Sequence, residues 1–159
     1  MKGQKIPPEH HVVRYVPWGK LRKDENDNVL GVLGEAFRLR PNESALSTTW
    51  LEYFAGNRST RVTAAIKAIR ASNLKPGGKS GFAVGNVAAI TTTCANRHHK
   101  IRIVHEPEND NQAHTSVRRF PREDPELLEL LAIGAWSELA LNTNVAPGAK
   151  RAPDEPEAV

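Results

Sequence analysis

Residues 100–120 decide the fold class, and they read KIRIVHEPENDNQAHTSVRRF. Within this stretch, residues 100–105 and 114–120 each alternate between apolar or β-branched side chains and polar ones. A period of two sends successive side chains to opposite faces of a strand. Residues 106–113 are acidic and rich in amides, which is typical of a loop. The whole pattern therefore predicts a β-hairpin.

One more strand and two helices are predicted outside the hairpin. Residues 10–16 are rich in β-branched and aromatic side chains and stop at Pro17, which has no backbone N–H, so they predict a strand. Ser59 is placed to cap a helix whose apolar side chains recur at helical spacing. Asp124 and Pro125 form an N-cap and first-turn pair for a last helix, whose buried apolar face is expected to run from Leu127 to Leu139.

Three other segments have patterns that are less distinct. Residues 36–39 predict a short strand. Thr49, with a glutamate three residues later, has the spacing of a capping box for a helix over residues 50–55. Residues 82–93 are small, apolar and rich in threonine, and they suit either a buried strand or a helix capped by Asn86. Of these two alternatives we favour the helix.

Together these elements predict an α+β fold with a small mixed or antiparallel sheet packed by about three helices. The chain of 159 residues has the usual size of a single domain. We expect this domain to span residues 10–141 and to follow a flexible N-terminus at residues 1–9. Residues 142–159 are rich in Asn, Pro, Gly, Ala and acids, so we expect them to form a disordered tail.

Composition narrows the class of protein. Cys94 is the single cysteine, which excludes an internal disulfide and every multi-cysteine zinc site and indicates a reducing compartment such as the cytoplasm. Residues 1–10 lack the apolar core of a signal peptide, and no apolar run approaches the roughly 18 to 20 residues of a membrane span. We therefore expect no membrane partner. The formal net charge of +4 favours anionic partners.

The predicted hairpin supplies the candidate catalytic residues. His105 and His114 stand at the two ends of its loop, which would set their imidazoles opposite each other with Glu106 alongside. Two imidazoles and a carboxylate suffice to bind a divalent metal or to perform general acid–base chemistry. In the alternative interpretation both histidines simply face water at the strand ends, because the register that decides their face is not fixed by the sequence.

Two basic runs flank the same loop and would meet on one surface. Arginine suits phosphate because its planar fork contacts two oxygens at once, and a basic surface is the usual footprint of nucleic-acid binding. The alternative is an ordinary solvated face, since the cluster has few aromatic rings on which bases could stack. The candidate phosphate-binding residues of these runs are Arg97, Lys100, Arg102, Arg118, Arg119 and Arg122.

Arg14, in the predicted first strand, is a further candidate for phosphate binding. It stands among valines, and an arginine is buried only with an anionic partner. That partner is either a carboxylate of the protein or the phosphate of a ligand. The sequence leaves both alternatives open.

Arg14, the Ser-Thr-Thr stretch at residues 47–49 and a downstream glutamate, Glu52 or Glu106, occur in this order along the chain. This order resembles the arginine, serine and glutamate of the ADP-ribosyltransferases. The resemblance implies a transferase that acts on a nucleotide such as a dinucleotide. Arg14 would then clamp a phosphate, with the hydroxyls and one glutamate near the reactive end.

Three functional hypotheses follow from the sequence. The first is the binding, with or without processing, of nucleic acid or another phosphate-bearing ligand through the hairpin. The second is the nucleotide-using transferase, and the third is a non-enzymatic subunit that binds another protein chain, with Trp18 or Trp50 as an exposed anchor. No residue pattern specifies a cofactor or a metal.

Overall fold

The computed structural model describes residues 3–72 and 76–144. No helix in these residues is long and apolar enough to cross a membrane. The helices are α1 (Arg58–Ala71), α2 (Val87–Ala95) and α3 (Pro125–Leu130). The strands are β1 (His11–Val16), β2 (Leu21–Lys23), β3 (Val29–Val32), β4 (Leu46–Trp50), β5 (Gly81–Asn86), β6 (Arg102–His105), β7 (His114–Arg118) and β8 (Glu138–Leu141).

Six strands form one sheet in the order β6–β7–β4–β1–β5–β8, and β2 and β3 form a separate hairpin. Every pair of neighbours in the six-stranded sheet is antiparallel. The predicted α+β class is confirmed, although the sheet is larger than the small one expected. The β-hairpin predicted from residues 100–120 is also confirmed, as β6 and β7.

Strand register assigns each side chain to one of two faces of the large sheet. Val12 lies opposite Trp50, and Val13 lies opposite Thr49. Directly opposed residues of antiparallel strands share a face, so the first pair points to one side and the second pair to the other. We call the side of Val13, on which α1 packs, the α1 face. The side of Val12, on which α2 and α3 pack, is the α2 face.

Each face has its own apolar core. On the α1 face, Val13 and Phe82 pack with Ile66 of α1. The core of the α2 face is larger and includes Phe37 and Trp136, whose stacked rings have centroids 4.9 Å apart. Burying one large apolar side chain contributes roughly 1.5–3 kcal/mol. The helices are therefore held on both sides of the sheet mainly by apolar packing.

Side-chain caps set where the helices begin. Asn57, rather than the predicted Ser59, caps α1, because its side chain accepts a hydrogen bond from the Thr60 backbone N–H at 2.9 Å. Asn86 and Asp124 cap α2 and α3 in the same way. These two caps are confirmed as the sequence predicts them.

Residues 82–93 are only half helical. Residues 81–86 form β5, and the helix α2 begins at Val87. Both faces of β5 are covered, so its side chains are small or apolar throughout and lack the alternation of a half-exposed strand. The prediction of a helix is therefore wrong for the first half of this segment.

Two short predictions are wrong because tertiary contacts override the local pattern. Residues 36–39 are not a strand, and a 3-10 turn at Gly34–Phe37 takes their place. The helix predicted over residues 50–55 is reduced to a 3-10 turn at Leu51–Tyr53, because β4 continues to Trp50. Thr49 pairs with β7 in the sheet instead of capping a helix.

The N-terminal segment, predicted to be flexible, lies along the outer edge of β6 from residue 3 to residue 6. Ile6 is buried, and its N–H donates to the Ile103 carbonyl at 3.0 Å. Lys5 forms a β-bridge with Val104. The described part of this segment therefore has a packing partner that the sequence pattern does not reveal.

The C-terminal part of the domain also extends further than predicted. The last helix is shorter than predicted, because the chain forms a π-helical turn at Leu131–Ala135 after α3 and returns to the sheet as β8. Leu139 therefore lies in a strand and not in the helix. Asn142, in the predicted tail, is buried and accepts a hydrogen bond from Arg70 Nη2 at 2.7 Å. Residues 145–159 of that tail lie outside the described residues.

Gly85 tests the packing of the α2 face. A Cβ atom at this position would lie 2.8 Å from Cδ2 of the buried Trp136 ring. We expect Gly85→Ala to lower the free energy of unfolding by roughly 1–3 kcal/mol, the usual cost of overpacking a core. Urea denaturation of the variant and the wild type measures this difference.

The matched control is Gly31→Ala, because a Cβ at Gly31 meets no atom within 4 Å. We expect this variant to change stability by no more than about 1 kcal/mol, since alanine mainly reduces the entropy of the unfolded chain. Equal stability of the two variants would show that the Trp136 ring is not fixed against β5.

Candidate functional site

The two candidate histidines point to opposite faces of the sheet. His105 lies opposite Thr115 in β7, whereas His114 lies opposite Thr49 in β4. His114 and Thr115 are neighbours in one strand, so their side chains leave it on opposite sides. The hairpin therefore does not set the two imidazoles opposite each other, as the sequence interpretation expected. A register that differs by one residue is enough to separate them.

His105 belongs to a cluster of rings on the α2 face. Its Nε2 donates to the Gln112 carbonyl at 2.8 Å, and its ring centroid lies 5.2 Å from Trp50 and 5.6 Å from Tyr53. His105 is buried, and its Nδ1 has no hydrogen-bond partner. Trp50 donates its indole N–H to His10 Nδ1 at 3.0 Å. Trp50 is thus a partly buried member of this cluster rather than a fully exposed anchor.

His114 lies on the α1 face with a defined tautomer. A carbonyl oxygen can only accept a hydrogen bond, and the Glu106 carbonyl lies 2.9 Å from His114 Nδ1, so Nδ1 carries the hydrogen of the neutral ring. The Glu108 carboxylate lies 3.7 Å from the same nitrogen. His114 Nε2 is therefore left as a hydrogen-bond acceptor.

The Glu106 carboxylate binds two side chains of β7. It accepts hydrogen bonds from the Ser116 hydroxyl and from the Arg118 guanidinium. These two hydrogen bonds hold the pKa of Glu106 below its ordinary value, and the one from the Ser116 hydroxyl has the larger effect. Glu106 is therefore ionised at neutral pH, and it neutralises one of the candidate phosphate-binding arginines.

Arg97 is held by the carboxylate that caps α3. Its Nε and Nη2 donate to the two oxygens of Asp124 at 3.0 and 2.8 Å, and His99 Nε2 lies 2.9 Å from Oδ2. The hydrogen bond from Arg97 is the main reason that the pKa of Asp124 lies far below its ordinary value. The fork that suits a phosphate is thus already occupied by a carboxylate.

Arg122 is also engaged within the protein, because it donates to the backbone carbonyls of Arg40 and Glu43. The remaining cations of the two basic runs are exposed and form no ion pair with any residue in the described ranges. The predicted basic surface is therefore reduced to about half of its members. The three that remain are Lys100, Arg102 and Arg119.

Arg14 is buried, and the groups that bind its guanidinium belong to the protein itself. Its Nε donates to the Ala36 carbonyl at 2.8 Å, and its Nη1 donates to the Ser47 carbonyl at 2.9 Å. Nη1 also lies 3.6 Å from the Glu43 carboxylate. Burial lowers the pKa of Arg14 to about 10, so the side chain stays charged at neutral pH. The anionic partner of Arg14 is therefore a carboxylate of the protein, that of Glu43, and not the phosphate of a ligand.

Glu43 connects this buried charge to the surface. It accepts hydrogen bonds from the Arg40 backbone N–H at 2.8 Å, from Arg40 Nη2 at 3.1 Å and from the Ser47 N–H at 3.3 Å. Burial alone would raise the pKa of Glu43, but the Arg40 N–H and the guanidiniums of Arg14 and Arg40 outweigh it and leave the pKa below its ordinary value. One ionised carboxylate therefore serves both guanidiniums.

A cleft of about 490 Å³ lies on the α1 face beside Glu43 and His114, and we call it the α1-face cleft. It is bounded by the sheet, the C-terminal end of α1 and the hairpin loop. Most of its lining is polar, with a few apolar side chains. The lining residues are Val13, Tyr15, Arg40, Asn42, Glu43, Ser47, Thr48, Thr49, Ile69, Ser72, Glu108, Asp110, Asn111 and His114.

Asn111 fixes the hairpin loop above this cleft. Its Nδ2 donates to Thr49 Oγ1 at 3.0 Å, and its Oδ1 accepts the Ala113 N–H at 3.1 Å. The second bond is an Asx turn, in which the asparagine side chain binds the backbone N–H two residues further along the chain, just before β7 begins. Sequence reasoning treated the loop as a whole and missed this residue, and its contact with β4 has no local signal.

Carboxylates give the α1-face cleft an acidic character. The carboxylates of Glu43, Glu108 and Asp110 line it, and His114 adds the lone pair of Nε2. The guanidinium in the lining, Arg40, is paired with Glu43. Within the described part of the chain, no three His, Cys, Asp or Glu side chains are placed to hold a metal ion. The cleft is therefore suited to a ligand that donates hydrogen bonds.

The residues that resemble an ADP-ribosyltransferase site are only partly brought together. Arg14 donates a hydrogen bond to Ser47, but the acceptor is the backbone carbonyl and not the hydroxyl. Glu52 accepts hydrogen bonds from the backbone N–H and Nδ1 of His11, both at 2.7 Å. Glu106 lies at the hairpin with Arg118. Both candidate glutamates are thus engaged by other side chains.

Asp124→Asn tests the ion pairs that withdraw Arg97 from the surface. Asparagine keeps the oxygen that caps α3 but removes the charge that Arg97 and His99 contact. Because the pKa of Asp124 is lower in the folded protein than in the unfolded chain, its charge stabilises the fold above the ordinary carboxyl pKa of about 4. This contribution is lost as the pH falls toward the folded pKa.

We therefore expect the wild type to exceed Asp124→Asn in stability most at neutral pH, and the gap to narrow between about pH 4 and pH 2. Urea midpoints of both proteins across this range measure it. Glu126→Gln is the control, because Glu126 contacts the same Arg97 from an exposed position. A gap that does not change with pH would contradict the assigned ion pairs.

Comparisons with known proteins complete the description of the site. No protein-family model matches the chain, and no curated protein and no solved structure matches it. Function is therefore inferred from the geometry of this chain alone.

Proposed function

We propose that the protein binds a small, uncharged or cationic molecule rich in hydroxyl or amino groups in the α1-face cleft. The observation that carries this proposal is the contact between His114 Nδ1 and the Glu106 carbonyl. The Nδ1 hydrogen is bound by the Glu106 carbonyl at 2.9 Å, so Nε2 is available as an acceptor. A ligand hydroxyl or amine supplies the missing donor.

The other polar groups of the cleft support a ligand of the same chemistry. The Glu108 carboxylate lies 3.7 Å from His114 Nδ1 and is 54 % exposed at its side chain, so a ligand donor can reach it from solvent. The hydroxyl of Thr49 already accepts from Asn111, which leaves its O–H to donate. Tyr15 and Val13 add apolar surface at the sheet. A few placed polar groups over apolar surface are typical of small-molecule sites.

The charges of the cleft disfavour a phosphate. Three carboxylates line it, and the two nearest guanidiniums, those of Arg14 and Arg40, both face Glu43. A phosphate would have to displace this carboxylate or lie close to Glu108. Like charges at short distance cost free energy, more so where the side chains are partly buried. This separates the proposal from the phosphate-binding hypothesis drawn from the sequence.

Thermal unfolding in the presence of four probes tests the proposal. Ribose, adenosine and spermidine carry the donors that the cleft requires, and adenosine monophosphate adds a phosphate to one of them. We expect at least one of the first three to raise the melting temperature of the full chain, because a ligand that binds only the folded state stabilises it. Adenosine monophosphate should raise it less than adenosine does.

Glu108→Gln locates the binding event. We expect this substitution to weaken the binding of a cationic probe about tenfold, equivalent to about 1.4 kcal/mol, because a charge-assisted hydrogen bond becomes a neutral one. Glu123→Gln is the matched control, since Glu123 is exposed and does not line the cleft. Stabilisation by adenosine monophosphate alone, no shift with any probe, or equal effects of the two variants would each contradict the proposal.

A phosphate-bearing ligand at the outer side of the hairpin is the second candidate. Arg102 lies directly opposite Arg118, but Arg118 is paired with Glu106, whereas Arg102 forms no ion pair within the described residues. An added anion would pair with Arg102, with Lys100 and Arg119 nearby in sequence. Binding of a labelled oligonucleotide should then weaken steeply with salt and with Arg102→Ala. A flat salt response would remove this candidate.

A further inference from the structure

Two lysines from different loops approach the ring of Trp18, which lies in the turn between β1 and β2. Nζ of Lys23, the last residue of β2, lies 4.2 Å from the ring centroid, and Nζ of Lys79, just before β5, lies 5.5 Å from it. Both distances fall within the roughly 6 Å over which the face of an indole attracts an ammonium group. The ring thus brings two positive charges to one place on the surface.

Hydrogen bonds fix the backbone from which each lysine extends. Lys23 Nζ donates to the Trp18 carbonyl at 2.6 Å, which ties the end of β2 to the turn. The Gly77 carbonyl accepts the Ser80 N–H at 3.1 Å and closes the turn that carries Lys79. An anion that contacts both ammonium groups therefore meets a site that is largely assembled before it binds.

Neither ammonium group has a carboxylate partner. No Asp or Glu among the residues that the structure describes lies within ion-pair distance of either one. Asp24, which follows Lys23 in the sequence, accepts the N–H groups of Asn26 and Asn28 at 2.8 and 2.9 Å within its own loop. Lys23 is half-buried, and a charge that is partly removed from water is normally paired. Both lysines are therefore available to an added anion.

Linked phosphate groups suit this pair of lysines. Two like charges beside one ring repel each other, and a ligand with several negative charges relieves that repulsion. Lysine binds phosphate as a point charge and not through the planar fork of arginine. Two point charges on separate loops are best satisfied by two linked phosphates, one for each lysine. A single carboxylate carries one charge and neutralises only one of them.

The C-terminal segment at residues 145–159 also contains carboxylates, but it has little net charge. Its three acidic residues are offset by two basic ones. Electrostatic attraction to a cationic site increases with the net charge of the ligand. A separate ligand of high negative charge is therefore favoured over this segment.

We propose that Lys23 and Lys79 bind a ligand with at least two linked phosphates, a diphosphate or a triphosphate, beside the Trp18 ring. Each ammonium group contacts one phosphate of the chain. A single phosphate, as in adenosine monophosphate, contacts only one lysine at a time and binds weakly here. Neither lysine lines the α1-face cleft, so this site does not depend on the ligand proposed for that cleft.

Calorimetric titration of the full chain with inorganic phosphate, pyrophosphate and tripolyphosphate tests this proposal, in a buffer of low ionic strength without divalent cations. We expect tripolyphosphate to bind at least about tenfold more tightly than inorganic phosphate, a difference of about 1.4 kcal/mol, because it reaches both lysines. Equal affinities for the two, or no binding of tripolyphosphate, would overturn the proposal.

Matched variants separate this site from general attraction to a basic protein. Lys79→Gln should weaken tripolyphosphate binding about tenfold, and because Lys79 is exposed we expect the fold to be unaffected. Lys67→Gln removes the same charge from an exposed position on α1 that does not contact the Trp18 ring, and it should leave the affinity unchanged. Equal effects of the two variants would show that only the net charge matters and would overturn the proposal.

Tryptophan fluorescence locates the ligand independently. We expect tripolyphosphate to change the emission of the wild type, because the ammonium groups beside the Trp18 indole become paired. Trp18→Phe keeps an aromatic ring for the lysines and should abolish this change while binding persists in calorimetry. An unchanged wild-type emission, or a change that survives in Trp18→Phe, would contradict the assigned site, since the latter signal would come from Trp50 or Trp136.

Two further outcomes would assign the anion or the lysines differently. Tripolyphosphate binding that Arg102→Gln weakens and Lys79→Gln does not would place the anion at the hairpin. A synthetic peptide of residues 145–159 that displaces tripolyphosphate would identify the C-terminal segment of the chain as the partner of the two lysines. Either result would overturn the proposal.

Discussion

The buried guanidinium of Arg14 constrains the centre of this structure. β1 contributes side chains to both apolar cores, and an arginine in such a strand is tolerated only when its charge and its N–H groups are satisfied. The carbonyls of Ala36 and Ser47 and the carboxylate of Glu43 satisfy them. The chain between β3 and β4 is thereby held against the sheet, and its Arg40–Glu43 turn becomes one side of the α1-face cleft.

The elements that the sequence predicts correctly are those with local causes. The alternation in residues 100–120 and the β-branched run before Pro17 are properties of short segments, as are the caps at Asn86 and Asp124. β5 could not be recognised in this way, because burial on both faces removes the alternation that distinguishes a strand. The continuation of β4 to Trp50 depends on pairing with β7, far along the chain.

The candidate site also combines features that local sequence reveals with features that depend on distant parts of the chain. Composition identified residue types capable of chemistry, but their roles depend on partners that a linear pattern does not contain. Arg97 is bound by Asp124, and Arg118 is bound by Glu106. The separation of His105 from His114 depends on a single step of register. The α1-face cleft assembles side chains from three strands, a helix and two loops, and no one segment carries a signal for it.

The N-terminal cover of β6 bears on the order in which the fold is completed. Lys5 reaches its partner Val104 only by closing a loop that contains β1, β4 and β5, three of the six strands of the sheet, and contacts of such long range form slowly. Until the first residues dock, β6 has an open edge beside the apolar side chains of Ile103 and Val104. Intermediates with an open strand edge are the ones most prone to aggregate. We therefore expect the docking of residues 3–6 to be a late step of folding that ends this exposure.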